Sequence, residues 1–305
     1  MRIGCFGGEV VDHGFDATLD LARTVRDHGL DAFWLPQIFG IDTLTAYAAI
    51  GREVPDLELG VGVVPIWTRH PTVLAAQALT VQAAIGDRLS LGVGLAHQIV
   101  VEAMWGMTFD QPVTRMREYL DVLLPALTDR SVDVSGTTVT AHQALTIPPT
   151  PPPAVLVAAL GPAMLDLCAK RTDGTVTWMT GPRTLAEHTV PTLAAAADRH
   201  GRRARRVVSA LPVAVTDDPE AERVRANRAF AIYGSLPSYR AMLDREGAAE
   251  PGDVAIVGDA DAVTAQILHL AEIGVTDFVG AMFTREPEAR ARTLRVLADV
   301  AAAMR

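Results

Sequence analysis

Short apolar runs alternate with amphipathic stretches along nearly the whole chain. Most of the apolar runs lack a two-residue alternation, which is typical of parallel strands buried on both faces. The amphipathic stretches repeat apolar residues at helical spacing, as Leu19, Ala22 and Val25 do. The pattern predicts eight strands, at 2–6, 32–36, 57–65, 88–96, 154–160, 175–179, 207–215 and 277–283. It predicts helices after nearly all of them, at 16–28, 43–54, 71–84, 162–170, 182–200, 219–233 and 286–304.

Eight strand–helix units in 305 residues predict an α/β fold, a closed (β/α)8 TIM barrel. A doubly wound open sheet is the alternative. Two stretches exceed the minimal unit, and we interpret 97–153 and 226–256 as insertions after strand four and before strand eight. The first contains a helix at 114–128, a small hairpin within 133–142 and the proline tract 148–153; the second is predicted as a broken helix that forms a lid. We expect one domain over 1–305.

Composition narrows the class of partner. Thirty-six acidic residues against twenty-seven Lys and Arg give a net charge of −9, which argues against nucleic-acid and membrane partners. Cys5 and Cys168 are predicted as buried, inert thiols. The sequence shows no secretory signal and no apolar window of about 20 residues, so we expect a cytoplasmic protein.

The functional site of such a barrel lies at the carboxyl ends of its strands. The residues there include few carboxylates and one histidine, and no acid pair or metal-ligand spacing is present, so we expect no metal site. This favours chemistry carried by a bound organic cofactor. The predicted strand-end groups are Phe6-Gly7-Gly8, Pro36-Gln37, Gly62-Val63-Val64, Leu95-Ala96-His97, Ala159-Leu160-Gly161-Pro162, Met179-Thr180-Gly181, Ala210-Leu211-Pro212 and Phe283-Thr284-Arg285.

The segment "AALGPAM" (158–164) is the best phosphate candidate. Gly161 and Pro162 begin a helix, so the free amides of Ala163 and Met164 would point at an anion, aided by the helix dipole. A plain helix start without a ligand is the alternative. A second Gly-Pro step, after Thr180, would add a hydroxyl to the same anion pocket.

Two further features allow more than one interpretation. The segment "GVGLAH" (92–97) is a weak dinucleotide fingerprint because its third glycine is missing. Its glycines, Gly92 and Gly94, either admit close packing or face a cofactor together with His97. Trp178 is either a core residue or a stacking partner.

The chain also resembles the luciferase-like superfamily of barrel oxidoreductases, especially its coenzyme F420-dependent branch. The segments that carry the resemblance, in order, are "GLDAFWLPQ", "LGVGVVPIWTRHP", "DRLSLGVGLAH", "WGMTF", "AALGPAMLDLC", "DGTVTWMTGP", "VGDADAV" and "LAEIGVTDFV". The resemblance implies a deazaflavin (coenzyme F420), or alternatively FMN, at the barrel mouth, and a homodimer. It also implies a non-prolyl cis peptide on strand three, at Gly62-Val63. The implied cofactor-binding set is Gly7, Gln37, Gly62, Val63, Gly94, His97, Ala159, Leu160, Gly161, Pro162, Ala163, Met179, Thr180 and Gly181.

The chain departs from the family at two strand ends. Many dehydrogenases of the branch have Asp-His after strand two, where this chain has Pro36-Gln37, and an acid after strand four, where it has His97. Gln37 can form hydrogen bonds but cannot act as a base, whereas His97 can exchange a proton near neutral pH unless it only binds a backbone carbonyl. We predict Gln37 and His97 as the catalytic residues of an oxidoreductase that acts on a small, largely apolar organic molecule. The alternatives are an FMN-dependent monooxygenase and a barrel that binds the cofactor without turnover.

Overall fold

The computed structural model describes residues 1–203, 205–284 and 286–305; Arg285, in the last predicted strand-end group, lies outside the described residues. The described residues form eleven strands: β1 (Arg2–Phe6), β2 (Ala32–Leu35), β3 (Glu58–Pro65), β4 (Leu89–Gly94), β5 (Ser131–Ser135), β6 (Thr140–Ala144), β7 (Ala154–Val157), β8 (Gly174–Trp178), β9 (Arg206–Val215), β10 (Ile256–Gly258) and β11 (Asp277–Met282). Eight of them close a parallel barrel in the order β1-β2-β3-β4-β7-β8-β9-β11. The predicted (β/α)8 fold is confirmed, and the open-sheet alternative is wrong.

Helices follow the barrel strands and cover them. They are α1 (Phe15–Asp27), α2 (Thr43–Glu53), α3 (Pro71–Ile85), α4 (Pro112–Thr128), α5 (Pro162–Arg171), α6 (Pro182–Thr184), α7 (Val190–Arg199), α8 (Pro219–Ser235), α9 (Pro237–Glu246), α10 (Ala260–Glu272) and α11 (Pro287–Ala303). Many begin with proline, whose fixed φ suits the first helical turn. A π-turn at Leu185–Thr189 joins α6 to α7, so this region is helical throughout, as the sequence predicted.

The two insertions lie where the sequence placed them. In the first, β5 and β6 form the antiparallel hairpin that was expected. Its turn is held to α4 by the buried carboxylate of Glu118, which accepts hydrogen bonds from the backbone N–H groups of Thr138 (2.6 Å) and Val139 (3.2 Å). Burial alone would raise the pKa of Glu118, but hydrogen bonds from the Thr138 amide and from the hydroxyls of Thr137 and Thr138 lower it to about 2. The second insertion contains α9 and leads into β10, which pairs with the carboxyl-terminal end of β9.

The barrel interior is a packed core that changes from charged to apolar along its axis. At the amino end of the strands, the Arg206 guanidinium donates to Asp277 (2.8 Å), Glu58 (2.9 Å) and Ser90 (2.9 Å). Above this network lies the Trp34 indole, and a Cβ added at Gly60 would lie 2.1 Å from it. Because the interior is filled, a ligand must bind above it, at the carboxyl ends of the strands.

None of the helices in the described part of the chain has the length and apolar content needed to cross a membrane. Both cysteines are free and buried, as predicted.

Candidate active site

A cavity of about 1490 Å³ opens at the carboxyl ends of the barrel strands. The rings of Phe6 and Trp178 lie in its lining, and they stack with centroids 5.7 Å apart. Small side chains from other strands complete an apolar floor: Gly62, Gly94, Ala158, Ala210 and Ala281. A floor of this kind offers a flat surface to a planar ring.

The bulge on β3 shapes one side of the floor. The Gly62–Val63 peptide is cis, and the pairing with β4 shifts register between Val61 and Val64. The bulge brings Val63 against β4, where a Cβ added at Gly94 would lie 2.4 Å from a Val63 methyl carbon. A Cβ at Gly92 would lie 2.2 Å from the Val61 carbonyl oxygen. Close packing therefore explains both glycines, and Gly94 also lines the cavity.

Aromatic side chains of α8 and α9 cover Trp178. Phe230 and Tyr233 meet its ring edge-on, with centroid distances of 5.5 and 5.8 Å, and Tyr239 packs on Tyr233. Phe230 has non-helical φ and ψ, so α8 is kinked where it crosses the cavity. The predicted lid segment thus forms an aromatic roof, and Trp178 both packs in this cluster and lines the cavity.

The first Gly-Pro step, at Gly161-Pro162, forms an open helix start at the edge of the cavity. Gly161 and Leu160 line the cavity, and Pro162 and Ala163 are exposed beside it. No side chain caps α5, and the amides of Ala163 and Met164 have no partner within the described ranges. A Cβ at Gly161 would meet open space. This end of α5 can therefore accept an anion.

The second Gly-Pro step, at Gly181-Pro182, is occupied by a carboxylate from α9. Glu246 accepts hydrogen bonds from the backbone N–H groups of Arg183 (3.1 Å) and Thr184 (2.7 Å). A Cβ at Gly181 would lie 2.3 Å from the Glu246 carboxyl carbon. The hydroxyl of Thr180, a fully buried residue, donates to the Trp178 carbonyl (3.3 Å) instead of facing the cavity. The expectation that both Gly-Pro steps border one anion pocket is therefore corrected.

Three further residues of the implied cofactor-binding set lie behind the cavity wall. Ala159 and Met179 are fully buried, because they point away from the barrel axis while their neighbours Ala158 and Trp178 line the cavity. The Gly7 amide donates to the Trp34 carbonyl (2.8 Å), and its neighbours Phe6 and Gly8 line the cavity in its place.

Gln37 lines the cavity and presents a hydrogen-bond donor to it. Its Oε1 accepts from the Thr43 amide at the start of α2 (2.7 Å). Because a backbone N–H can only donate, the acceptor atom must be the oxygen, which leaves Nε2 as a donor.

His97 lines the cavity opposite the α9 roof, and its ring lies 5.5 Å from that of Tyr239. Neither ring nitrogen has a partner among the residues that the structure describes, so the alternative of a bond to a backbone carbonyl is not realised there. Burial lowers the pKa of His97, which favours the neutral form of the imidazole.

Comparison with known proteins places this arrangement in a family. Residues 4–277 match the family described as luciferase-like monooxygenase. The chain belongs to this family. A 5,10-methylenetetrahydromethanopterin reductase of Methanolobus tindarius is 25% identical over 293 residues, covering 85% of this chain and 87% of that protein.

Two solved structures share the luciferase-like fold over the full chain. One is an F420-dependent secondary alcohol dehydrogenase with an F420-acetone adduct, with TM-score 0.83, 18% identity, and coverage of 100% of this chain and 99% of that one. The other is the oxygenating constituent of 3,6-diketocamphane monooxygenase from Pseudomonas putida in complex with FMN, with TM-score 0.78, 16% identity, and coverage of 99% and 98%.

Sequence reasoning missed several residues of this luciferase-like cavity, among them Glu9 and Tyr239. Glu9 lines it and accepts a hydrogen bond from Arg290 (2.9 Å), and burial raises its pKa. It follows the strand-end group Phe6-Gly7-Gly8 directly, so a window one residue wider would have included it. Tyr239 comes from the insertion, where no sequence pattern indicates which side chains turn toward the barrel.

Proposed function

We propose that this luciferase-like protein is a coenzyme F420-dependent oxidoreductase that transfers hydride between the deazaflavin C5 and a small organic substrate. The observation that carries the proposal is the uncapped start of α5 at the edge of a flat, apolar cavity floor. Such a site matches a ligand with an anionic tail and a planar ring. The F420-dependent secondary alcohol dehydrogenase among the similar structures supports the deazaflavin.

The residues at the mouth fit such a cofactor. The amides of Ala163 and Met164, beside Gly161 and Pro162, would hold the phosphate, and Leu160 would border it. The ring would lie on the part of the floor beside the β3 bulge, where Gly62, Val63 and Gly94 meet. When bound, the deazaflavin supplies a carbon that carries or accepts hydride.

The polar residues of this chain have separate roles in the proposal. Neutral His97 accepts a proton from a substrate hydroxyl as hydride leaves the substrate, or returns it in the reverse direction. Gln37 Nε2 donates a hydrogen bond that orients the substrate oxygen. The roof of Phe230, Tyr233 and Tyr239 excludes water from the floor.

An FMN-dependent monooxygenase is the second candidate, because an FMN-bound enzyme shares the fold and an anion site serves either phosphate. Titration of the purified protein with coenzyme F420 and with FMN, followed by fluorescence, tests both. We expect coenzyme F420 to bind more tightly; binding of neither below about 100 μM would refute the proposal. Oxygen uptake with a flavin reductase and FMN would identify a monooxygenase.

Transfer of deuterium from a deuterated small alcohol to C5 of coenzyme F420 separates an enzyme from a barrel that binds the cofactor without turnover, which shows no transfer above background. A small-molecule substrate, a homodimer and a cytoplasmic location remain part of the proposal, and sedimentation analysis of the purified protein tests the dimer.

A further inference from the structure

Trp67 lies two residues after the end of β3, and it contacts the backbone segment that leads to His97. Its indole Nε1 donates a hydrogen bond to the Leu95 carbonyl at 2.6 Å, two residues before His97. Trp67 is only 6% exposed, so water does not compete for this hydrogen bond.

The segment that Trp67 binds has an unusual backbone conformation. Ala96, between Leu95 and His97, has a φ of +56°, in the left-handed region that a residue with a Cβ rarely adopts. Such a conformation persists where the surrounding structure holds it. One anchor lies on each side of Ala96: the Trp67 bond before it, and the His97 carbonyl after it, which accepts from the Val100 amide at 2.9 Å.

We propose that Trp67 is a positioning residue that holds the Leu95–His97 segment in the conformation that directs the His97 imidazole into the cavity. The catalytic consequence rests on the proposed function, whereas the positioning itself can be measured without any cofactor.

The indole itself contacts two side chains of the first insertion. The Arg115 guanidinium carbon lies 4.3 Å from its ring centroid, and the Phe109 ring lies 5.2 Å away. Arg115 belongs to α4 and Phe109 to the loop before it, so the first insertion stabilises the indole that anchors His97. A cation over an indole face is a favourable contact, which resists rotation of the ring.

The environment of His97 makes its position measurable. Its ring faces Tyr239, whose own pKa burial raises, so the tyrosine stays neutral. Burial is the cause of the lowered pKa of His97, and no charged group of the described residues contributes to it. If the segment moves and the imidazole gains water, its pKa returns toward the ordinary value of 6.5.

The test is the variant W67F, which keeps an aromatic ring but removes the N–H donor. The His97 Cε1–H signal, assigned with H97Q, is titrated by NMR in the cofactor-free protein. We expect its pKa to rise by about half a pH unit in W67F. The matched control is W34F, because the buried Trp34 Nε1 has no partner among the described residues and its loss breaks no hydrogen bond to them. An unchanged His97 pKa in W67F, or an equal rise in W34F, would overturn the proposal.

A second variant keeps the test decisive if W67F does not fold. R115M removes the cation over the Trp67 face without touching the indole, so we expect a smaller rise of the His97 pKa; no rise would overturn the proposal. Where coenzyme F420 binds and a deuterated small alcohol is turned over, deuterium transfer to C5 by folded W67F should fall about tenfold while the cofactor Kd stays within about twofold. Absence of cofactor binding by the unmodified protein would refute the proposed function and leave the NMR result standing.

Discussion

The most direct test of the anion site is a negative charge placed at the start of α5. Ala163 is exposed, and its amide is one of the two at the start of α5 that have no partner in the described parts of the chain. In A163D the new carboxylate would lie beside these amides, where a bound phosphate would lie. It would interact favourably with the helix start and unfavourably with the ligand.

The two effects have opposite signs. A carboxylate in the first helical turn stabilises the folded protein by about 0.3–1 kcal/mol. Two like charges about 4 Å apart repel by about 1 kcal/mol in water and about 4 kcal/mol at an effective dielectric constant near 20. Because the site is exposed, we expect the repulsion between the carboxylate and the phosphate to be about 1–2 kcal/mol, which weakens cofactor binding by about 5- to 30-fold.

Fluorescence titration gives the cofactor Kd, and thermal unfolding gives the stability of the free protein. The control is A163N, which has nearly the same size without the charge and should change the Kd by less than about threefold. If A163D bound coenzyme F420 as tightly as the unsubstituted chain, the phosphate would not lie at α5.

Three further predictions concern stability and are checked by urea unfolding. E118A leaves buried amides of the hairpin turn unpaired, so it should cost about 2–4 kcal/mol, against about 1 kcal/mol for E118Q. Because the folded pKa of Glu118 is about 2 and its ordinary value is 4.5, its contribution is present above pH 4.5 and lost as the pH falls toward 2; equal acid sensitivity in E118Q would contradict this. R206M leaves the nearly buried Asp277 with fewer cationic partners and should cost about 2–3 kcal/mol; a loss below about 0.5 kcal/mol would show that the network is not stabilising. E246A frees the amides at the start of α6 and should lower the free energy of unfolding by about 1–3 kcal/mol. The control E187A, on the exposed side of the same helical region, should lower it by less than about 0.5 kcal/mol. Equal losses in the two variants would argue against the capping role.

The barrel could be predicted from the sequence because its strands are continuous apolar runs and its helices have helical spacing. The segment 260–272 was not assigned as a helix, although Asp259, which caps α10 by accepting from the Ala262 amide (2.8 Å), was a readable signal. The three residues of β10 are too few for a pattern, and their pairing with β9 depends on tertiary structure.

The site was predictable only in part, for a reason of geometry. The rule that the site lies at the carboxyl ends of the strands found residues that line the cavity, such as His97 and Gly161, because these strand ends converge. It cannot decide which of two adjacent residues faces the axis, since successive side chains alternate, and so it named Ala159 and Met179 instead of Ala158 and Trp178. Glu246 meets the start of α6 from more than sixty positions along the chain, and no local pattern indicates a contact at that separation.

The carboxylate of Glu246 also takes up amides that could otherwise bind a negatively charged group. Two neighbouring helix starts have the same Gly-Pro construction, and the protein has filled one of them from within. If a phosphate binds at the start of α5 as proposed, the start of α6 does not compete for it, which removes one alternative orientation of the attached ring. Glu246, a residue outside the cavity lining, would in that case influence which way round the ligand binds.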